Sequence, residues 1–282
     1  MRFKVHSSLR FSIGGPSRLF LHLRALGSAQ QAVERESLRT DPVGPLPLEP
    51  GMGGRESRLA VIDAAADLTV TYDAVVSSSP DLRPVAEVGN WFPASLDHSR
   101  AAYLFPSRYC ESDQLGRLAW QKFGDQISPY AKAAAVTDWI HNHVVYLAGS
   151  THTGTSACAT IVQRAGVCRD FAHVGVAFCR ALNLPARYVS GYACGLQPPD
   201  MHAWFEVAIG EHWVAFDATR LVSPRGLVRV AHGRDAADTA ISTAFGPALA
   251  LGSAFSCDPA DPGEAPPVPG VPGEEPVLVT SA

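Results

Sequence analysis

Apolar and polar positions alternate along much of the first 80 residues. "MRFKVHSSLRFSI" puts an apolar side chain at almost every second position and stops at Gly14-Gly15-Pro16. "RLFLHLRAL" follows, and "RLAVIDAAADLTVTYDAVVSS" resumes the two-residue period after a Pro/Gly-rich loop, "DPVGPLPLEPGMGG". No helical repeat persists here, so the pattern predicts a small antiparallel β-sandwich. Residues 80 to 110 are irregular, interrupted by Pro80, Pro84, Pro93 and Pro106. An N-terminal β-rich domain is therefore drawn over residues 1–105.

The period then changes to that of a helix. In "SPYAKAAAVTDWIHNHVVYL", Ser128 is placed to cap and Pro129 to occupy the first helical position. Ala133, Val136, Ile140 and Val144 follow on one face. "TSACATIVQRAG" reads as a short helix closed by Gly166. A further helix runs from Cys168 to Leu182 with Phe171, Gly175, Phe178 and Leu182 on one stripe, and Asn183 and Pro185 stop it. Strands occupy about 186 to 219. A core is drawn over residues 106–256. From residue 257 onward, "CDPADPGEAPPVPGVPGEEPVLVTSA" has the Pro/Gly/acidic composition of a disordered tail, 257–282.

Composition removes several function classes. Apolar residues make up 46% and charged residues 18% of the 282, as in a globular protein. A net charge of −4 provides no basic field for nucleic acid. The first residues lack a continuous apolar core of a secretory signal, and no stretch reaches the roughly 20 apolar residues of a membrane span. The expected compartment is the cytoplasm, with no membrane partner. The six cysteines form no C-x-x-C pair and match no zinc spacing, so neither a metal nor another cofactor is expected. Oligomeric state is not readable from the pattern.

A cysteine by itself is usually a small core residue. Cys168 differs because it opens a helix, where free N–H groups and the positive dipole end favour a thiolate. Gly166 is placed to make a tight turn before it, and Asp170 to cap free amides in the first turn. Cys179 lies in the helix interior and reads as core, while Cys158 and Cys194 have no comparable setting. Among ten histidines, His141, His143 and His173 read as structural. His202 stands at the start of "HAWFEVAI", which Gly210-Glu211 joins to "HWVAFDAT" as a type II′ hairpin. With Ile209 facing His212, His202 faces Thr219 and Trp204 faces Asp217. All four share one side of the ribbon. His202 and Asp217 are then diagonal neighbours roughly 7–8 Å apart at the backbone, a gap their side chains can close. A carboxylate there fixes the imidazole and favours its charged form, as a Cys–His pair requires.

"GVCRDFAH", "DMHAWFEV" and "WVAFDAT", with "YLFPSRYCESD" at 103 to 113, resemble the bacterial branch of the transglutaminase-like superfamily of papain-type cysteine enzymes. The resemblance covers about residues 105 to 220. It implies a papain-like α+β core with Cys168 as nucleophile, His202 as general base and acid, and Asp217 orienting the histidine. It also implies a β-domain preceding that core. The expected activity is cleavage or transfer of an amide or acyl group on a peptide or protein through an acyl-enzyme, hydrolysis being favoured. The alternative is a non-catalytic interaction module retaining the fold. The backbone N–H of Cys168 is the expected oxyanion donor; Trp139 is a weaker candidate, an aromatic on a mostly apolar helix. Nothing in the sequence suggests the calcium sites of the animal enzymes.

Overall fold

The computed structural model describes residues 1–46, 57–88, 98–269 and 277–281. The α+β arrangement is as expected. One sheet of five antiparallel strands has the order β15-β1-β6-β3-β4, formed by Ala248–Pro259 (β15), Arg2–Ile13 (β1), Leu68–Ser78 (β6), Gln31–Asp41 (β3) and Gly44–Pro45 (β4). Ser242–Phe245 (β14), Ser17–Leu21 (β2) and Ala60–Ala64 (β5) form a three-stranded sheet. The alternation seen in β1 buries Phe3, Val5, Leu9 and Phe11 together with Leu19 and Leu21 of β2. β3 was not legible as a strand: its "QAVERESLRTD" buries only a few positions. It is held by pairing with β6 rather than by an apolar face of its own. Much of the Pro/Gly-rich loop and Pro93 lie outside the described residues.

The second unit is built around one helix. Cys168–Ala181 (α5) is packed by Ser112–Phe123 (α2), Pro129–His143 (α3) and Ala157–Gln163 (α4), with the short His98–Ala101 (α1) ahead of them. Every residue of α5 from Asp170 to Arg180 is buried, so the helix is enclosed on all sides rather than one. Gly175 permits this closeness, since a Cβ there would lie 2.4 Å from the Phe205 ring. The Ser128 hydroxyl accepts a hydrogen bond from Ala131 N at 3.1 Å, the cap expected for α3. α4 ends two residues earlier than predicted, at Arg164, which has φ 57°. Gly166 instead lies in the two-residue strand Ala165–Gly166 (β9), paired in parallel with Val145–Tyr146 (β8). Glycine is needed there for space: a Cβ would come 2.8 Å from that of Asp170.

α5 packs on a six-stranded sheet of order β13-β10-β11-β12-β16-β7, formed by Leu227–Gly233 (β13), Ala186–Ala193 (β10), Met201–Ile209 (β11), His212–Phe216 (β12), Val277–Ser281 (β16) and Asp81–Arg83 (β7). Its β11–β12 hairpin has the predicted register, Ile209 opposite His212. Gly210 has φ 59° and Glu211 is not left-handed, as a type II′ turn requires. All residues of β10 and β11 are buried. α5 covers one face, while Tyr192, Val228 and Val230 enter the core of the N-terminal sheets on the other. Glu206 sits fully buried in this sheet between Arg187 and Arg229, which share its two carboxylate oxygens.

The boundaries at residues 105 and 256 need correction. Strand β7 precedes the first boundary yet joins the core sheet, and β14 and β15 return from the core to the N-terminal sheets. The second boundary falls inside β15. The expected disordered tail is also revised: Cys257 is buried within β15, and Leu278 and Val279 of β16 are buried against β12. Pro/Gly content between the strands masked a short apolar segment that pairs once a sheet edge is offered. Ending the chain at Ser256 removes these contacts. At roughly 1.5–3 kcal/mol for each buried aliphatic side chain, the melting temperature should fall by roughly 10 °C or more. A truncated protein melting with the full chain, followed by circular dichroism, would show that these strands add no stability.

Candidate active site

Cys168 occupies the first helical position of α5, after an extended Val167. Its N–H has no acceptor within the helix. The carboxylate of Asp170 turns back to accept from Val167 N at 2.9 Å and from the Thr151 hydroxyl at 2.8 Å. This fully buried side chain holds the turn that presents the thiol. Cys168 is partly exposed, and its Sγ lies 3.9 Å from the Met201 carbonyl oxygen at the start of β11.

The next residue of that strand is His202. Its Nε2 is 2.7 Å from Asp217 Oδ2. Asp217 lies just past the end of β12 and is held by the main-chain N–H and the hydroxyl of Thr219, at 2.9 and 2.7 Å. The paired strands stop at Phe216, so Thr219 supports Asp217 locally instead of facing His202 across a ladder. The second ring nitrogen, Nδ1, is buried and makes no hydrogen bond among the described residues. Asp217 and the Cys168 thiol are the side chains that act on this ring.

Electrostatics follow from that geometry. Burial alone pushes the His202 imidazole down, but the charge and hydrogen bond of Asp217, reinforced by Cys168, hold it at about 10. Burial likewise works to raise Asp217, yet His202 and Thr219 keep it below the usual carboxylate range. The other thiols sit in different surroundings. Burial pushes Cys110 and Cys179 upward, and burial with Glu111 pushes Cys158 to about 11. Cys194 and Cys257 are buried.

The three residues singled out from the sequence are thus brought together. The three histidines set aside in the sequence make contacts of their own. His173 is buried, accepts from Ala236 N at 3.1 Å and stacks on Tyr109. His141 donates to the Ala218 carbonyl, and His143 to that of Trp139. Trp139 packs on Phe123, Phe178 and His143 rather than on Cys168, His202 or Asp217.

One residue at the site had no sequence signal. Tyr146 of β8 is set opposite Gly166 by the parallel pairing and packs its ring 5.8 Å from that of Phe171. Burial, followed by the adjacent Cys168, pushes its phenol up to about 12. It is therefore a protonated donor at neutral pH. A cleft of about 370 Å³ opens beside Cys168 and His202. A larger concavity of about 550 Å³ over the outer face of the N-terminal sheet, between Lys4, Arg35 and Asp258, is lined by no cysteine and lies away from this chemistry.

The raised value of His202 sets a sign for pH dependence. Stabilisation from the charged ring is complete below about pH 6.5 and is lost as pH rises through about 10. The contribution of Asp217 is present above the usual carboxylate range and lost on acidification through its lowered value. Because Cys168 helps to hold the ring charged, Cys168→Ala should lower the titration midpoint of His202 in histidine NMR spectra. An unchanged midpoint would separate the thiol from the imidazole.

Three similarities accompany this geometry. Residues 118–218 match the model of the transglutaminase-like superfamily, a span that contains Cys168, His202 and Asp217. A crystal structure of a candidate cysteine protease from Cytophaga hutchinsonii is 40% identical, with a TM-score of 0.90, over 99% of this chain and 98% of that one. An uncharacterized protein of Mycobacterium tuberculosis is 30% identical over 215 residues, 67% of this chain and 68% of its own, and one of Mycobacterium leprae is 28% identical over 190 residues, 62% of this chain and 66% of its own. With the fold shared almost end to end and the family match spanning the site, the chain belongs to the transglutaminase-like superfamily.

Proposed function

We propose that this protein is a cysteine hydrolase that cleaves an amide or related acyl bond of a peptide or protein substrate through a thioester on Cys168. The observation that carries the reading is the His202 ring, fixed at Nε2 by Asp217 while Nδ1 is left without a partner in the presence of the Cys168 thiol. Such a ring holds a proton at neutral pH and shares it with the sulfur, so a thiolate is available at the helix start.

The thiolate attacks the substrate carbonyl carbon, forming the C–S bond and an oxyanion. The N–H of Cys168 and the Tyr146 hydroxyl are the donors that meet this charge. His202 Nδ1–H protonates the leaving amine as the C–N bond breaks, which leaves a thioester and a neutral imidazole. The same nitrogen then takes a proton from water as it attacks, and the thiolate is expelled with the acid product. Water is the favoured acceptor because Cys168 is partly solvent-exposed, whereas a transferase must keep water from the thioester.

The first test is labelling with iodoacetamide at neutral pH, read by peptide mass spectrometry. Cys168 should alkylate before the five other cysteines. Faster reaction at Cys158, the other partly exposed thiol, would remove the nucleophile assignment. A panel of peptide amides and esters, assayed with and without a primary amine, then separates hydrolysis from transfer.

Two substitutions test the supporting groups. Asp217→Asn should fold but acylate Cys168 more slowly by on the order of 10²-fold, less than the about 10⁴ lost in serine triads, because a thiolate is intrinsically more nucleophilic. Tyr146→Phe should also lower acylation by on the order of 10²-fold, the usual cost of losing one oxyanion donor. Wild-type acylation in either folded variant would exclude that residue from the reaction.

A further inference from the structure

Part of the cleft beside Cys168 is not used by the steps above. It extends between β10 and the connection that leads from β13 to β14, residues 234 to 241. Tyr109, Tyr188 and Ile241 form walls, and Asp200 lies at the exposed mouth. Ser190 and Thr239 also line it, and both are buried, 5% and 2% exposed. Neither Ser190 Oγ nor Thr239 Oγ1 has a hydrogen-bond partner among the described residues.

Two unpaired buried hydroxyls in one cavity are unusual, because buried polar atoms are ordinarily satisfied. They are not free to turn elsewhere with their backbone. Ser190 sits in a strand paired on both sides, to Ala203 and to Ala231. The connection carrying Thr239 is tied down at several points. Asp235 accepts from Tyr109 N at 2.9 Å, His173 accepts from Ala236 N at 3.1 Å, and the His22 main chain donates to the Ile241 carbonyl at 3.0 Å. The His22 ring donates to the Ala240 carbonyl at 2.8 Å.

The lining chemistry narrows what fits. The aromatic and aliphatic walls favour a side chain over a solvated chain segment. An aliphatic tip would leave both hydroxyls unpaired, and a charged tip would find no counter-ion beside them. Asp200 is at the mouth, and the Arg169 guanidinium is engaged by Asp170 and by the His152 carbonyl. A neutral tip that both donates and accepts satisfies the two hydroxyls together.

We propose that this part of the cleft is a specificity pocket for the substrate residue next to the scissile bond, selecting a side chain that ends in a hydroxyl or a carboxamide. The inference rests on Cys168 being the nucleophile. It assigns Ser190 and Thr239 as the residues that read the substrate, since a site built to hydrogen-bond a polar group discriminates against an isostere lacking it.

The test uses peptidyl acyloxymethyl ketones in matched pairs, Thr against Val and Asn against Leu, placed at each of the two residues nearest the reactive carbon. Rates of Cys168 labelling are measured in the full-length protein and in a Ser190→Ala/Thr239→Val double variant. Iodoacetamide serves as the reference for thiol reactivity. At one of the two positions, Thr and Asn probes should label the wild type faster than Val and Leu by at least about tenfold. The double variant should abolish or invert that ratio without a lower melting temperature, because it removes hydroxyls that have no partner. Equal rates within each pair, or a preference that survives in the double variant, would overturn the pocket while leaving Cys168 intact as nucleophile. So would a melting temperature several degrees lower, since it would mean that the hydroxyls are already paired. Failure of iodoacetamide to label wild-type Cys168 would instead overturn the nucleophile, and the pocket's role with it.

Discussion

A charged imidazole inside a protein core is the constraint on which this structure depends. Desolvation opposes the charge on His202, and the Asp217 carboxylate 2.7 Å away, reinforced by Cys168, reverses the outcome. That reversal requires Asp217 to remain ionised although its side chain is only 8% exposed, which the two Thr219 donors support. Breaking one partner of such a pair leaves an uncompensated buried charge, whereas the intact pair is tolerated when its remaining hydrogen bonds are satisfied. Among the described residues, His202 Nδ1 is left open. The one ring atom without a partner is thereby the one available to the thiol.

The sheet around this pair is stiff for a related reason. Trp204 lies beside His202, with ring centroids 6.4 Å apart, and donates to Glu206 at 3.3 Å. Glu206 is in turn clamped by Arg187 and Arg229. These buried polar groups restrict β10, β11 and β13 to one register, since a slip of one residue would separate the charges and turn them into the apolar core. On the opposite face α5 sits close enough that Gly175 must lack a side chain. The thiol and the imidazole are thus carried on two rigid elements rather than on loops.

The N-terminal sheets are part of the same device. They share a core with β10 and β13, and their last strands are supplied by the chain after it leaves the core sheet. The connection that makes this return also walls the cleft, and His22 pins it from the N-terminal side. Shape in the cleft therefore depends on a segment remote in sequence from Cys168.

The sequence by itself determined the local elements and the reactive groups. Alternation in "MRFKVHSSLRFSI" buries one face of a strand whatever it packs against. Ser128-Pro129 caps α3, and a two-residue loop at Gly210-Glu211 leaves only one hairpin register, which puts Asp217 within reach of His202. These are short-range effects, set by backbone geometry over a few residues. The tertiary structure decided the rest. Pairing with β6 makes a strand of the polar β3, and an open edge at β12 orders Val277–Ser281 after a Pro/Gly-rich stretch. Tyr146 lies beside Cys168 because two short strands pair in parallel, and Ser190 and Thr239 line one cleft because the chain crosses back to the N-terminal sheets. Each of these is a contact between distant segments, and its energy comes from a partner surface absent from the local sequence.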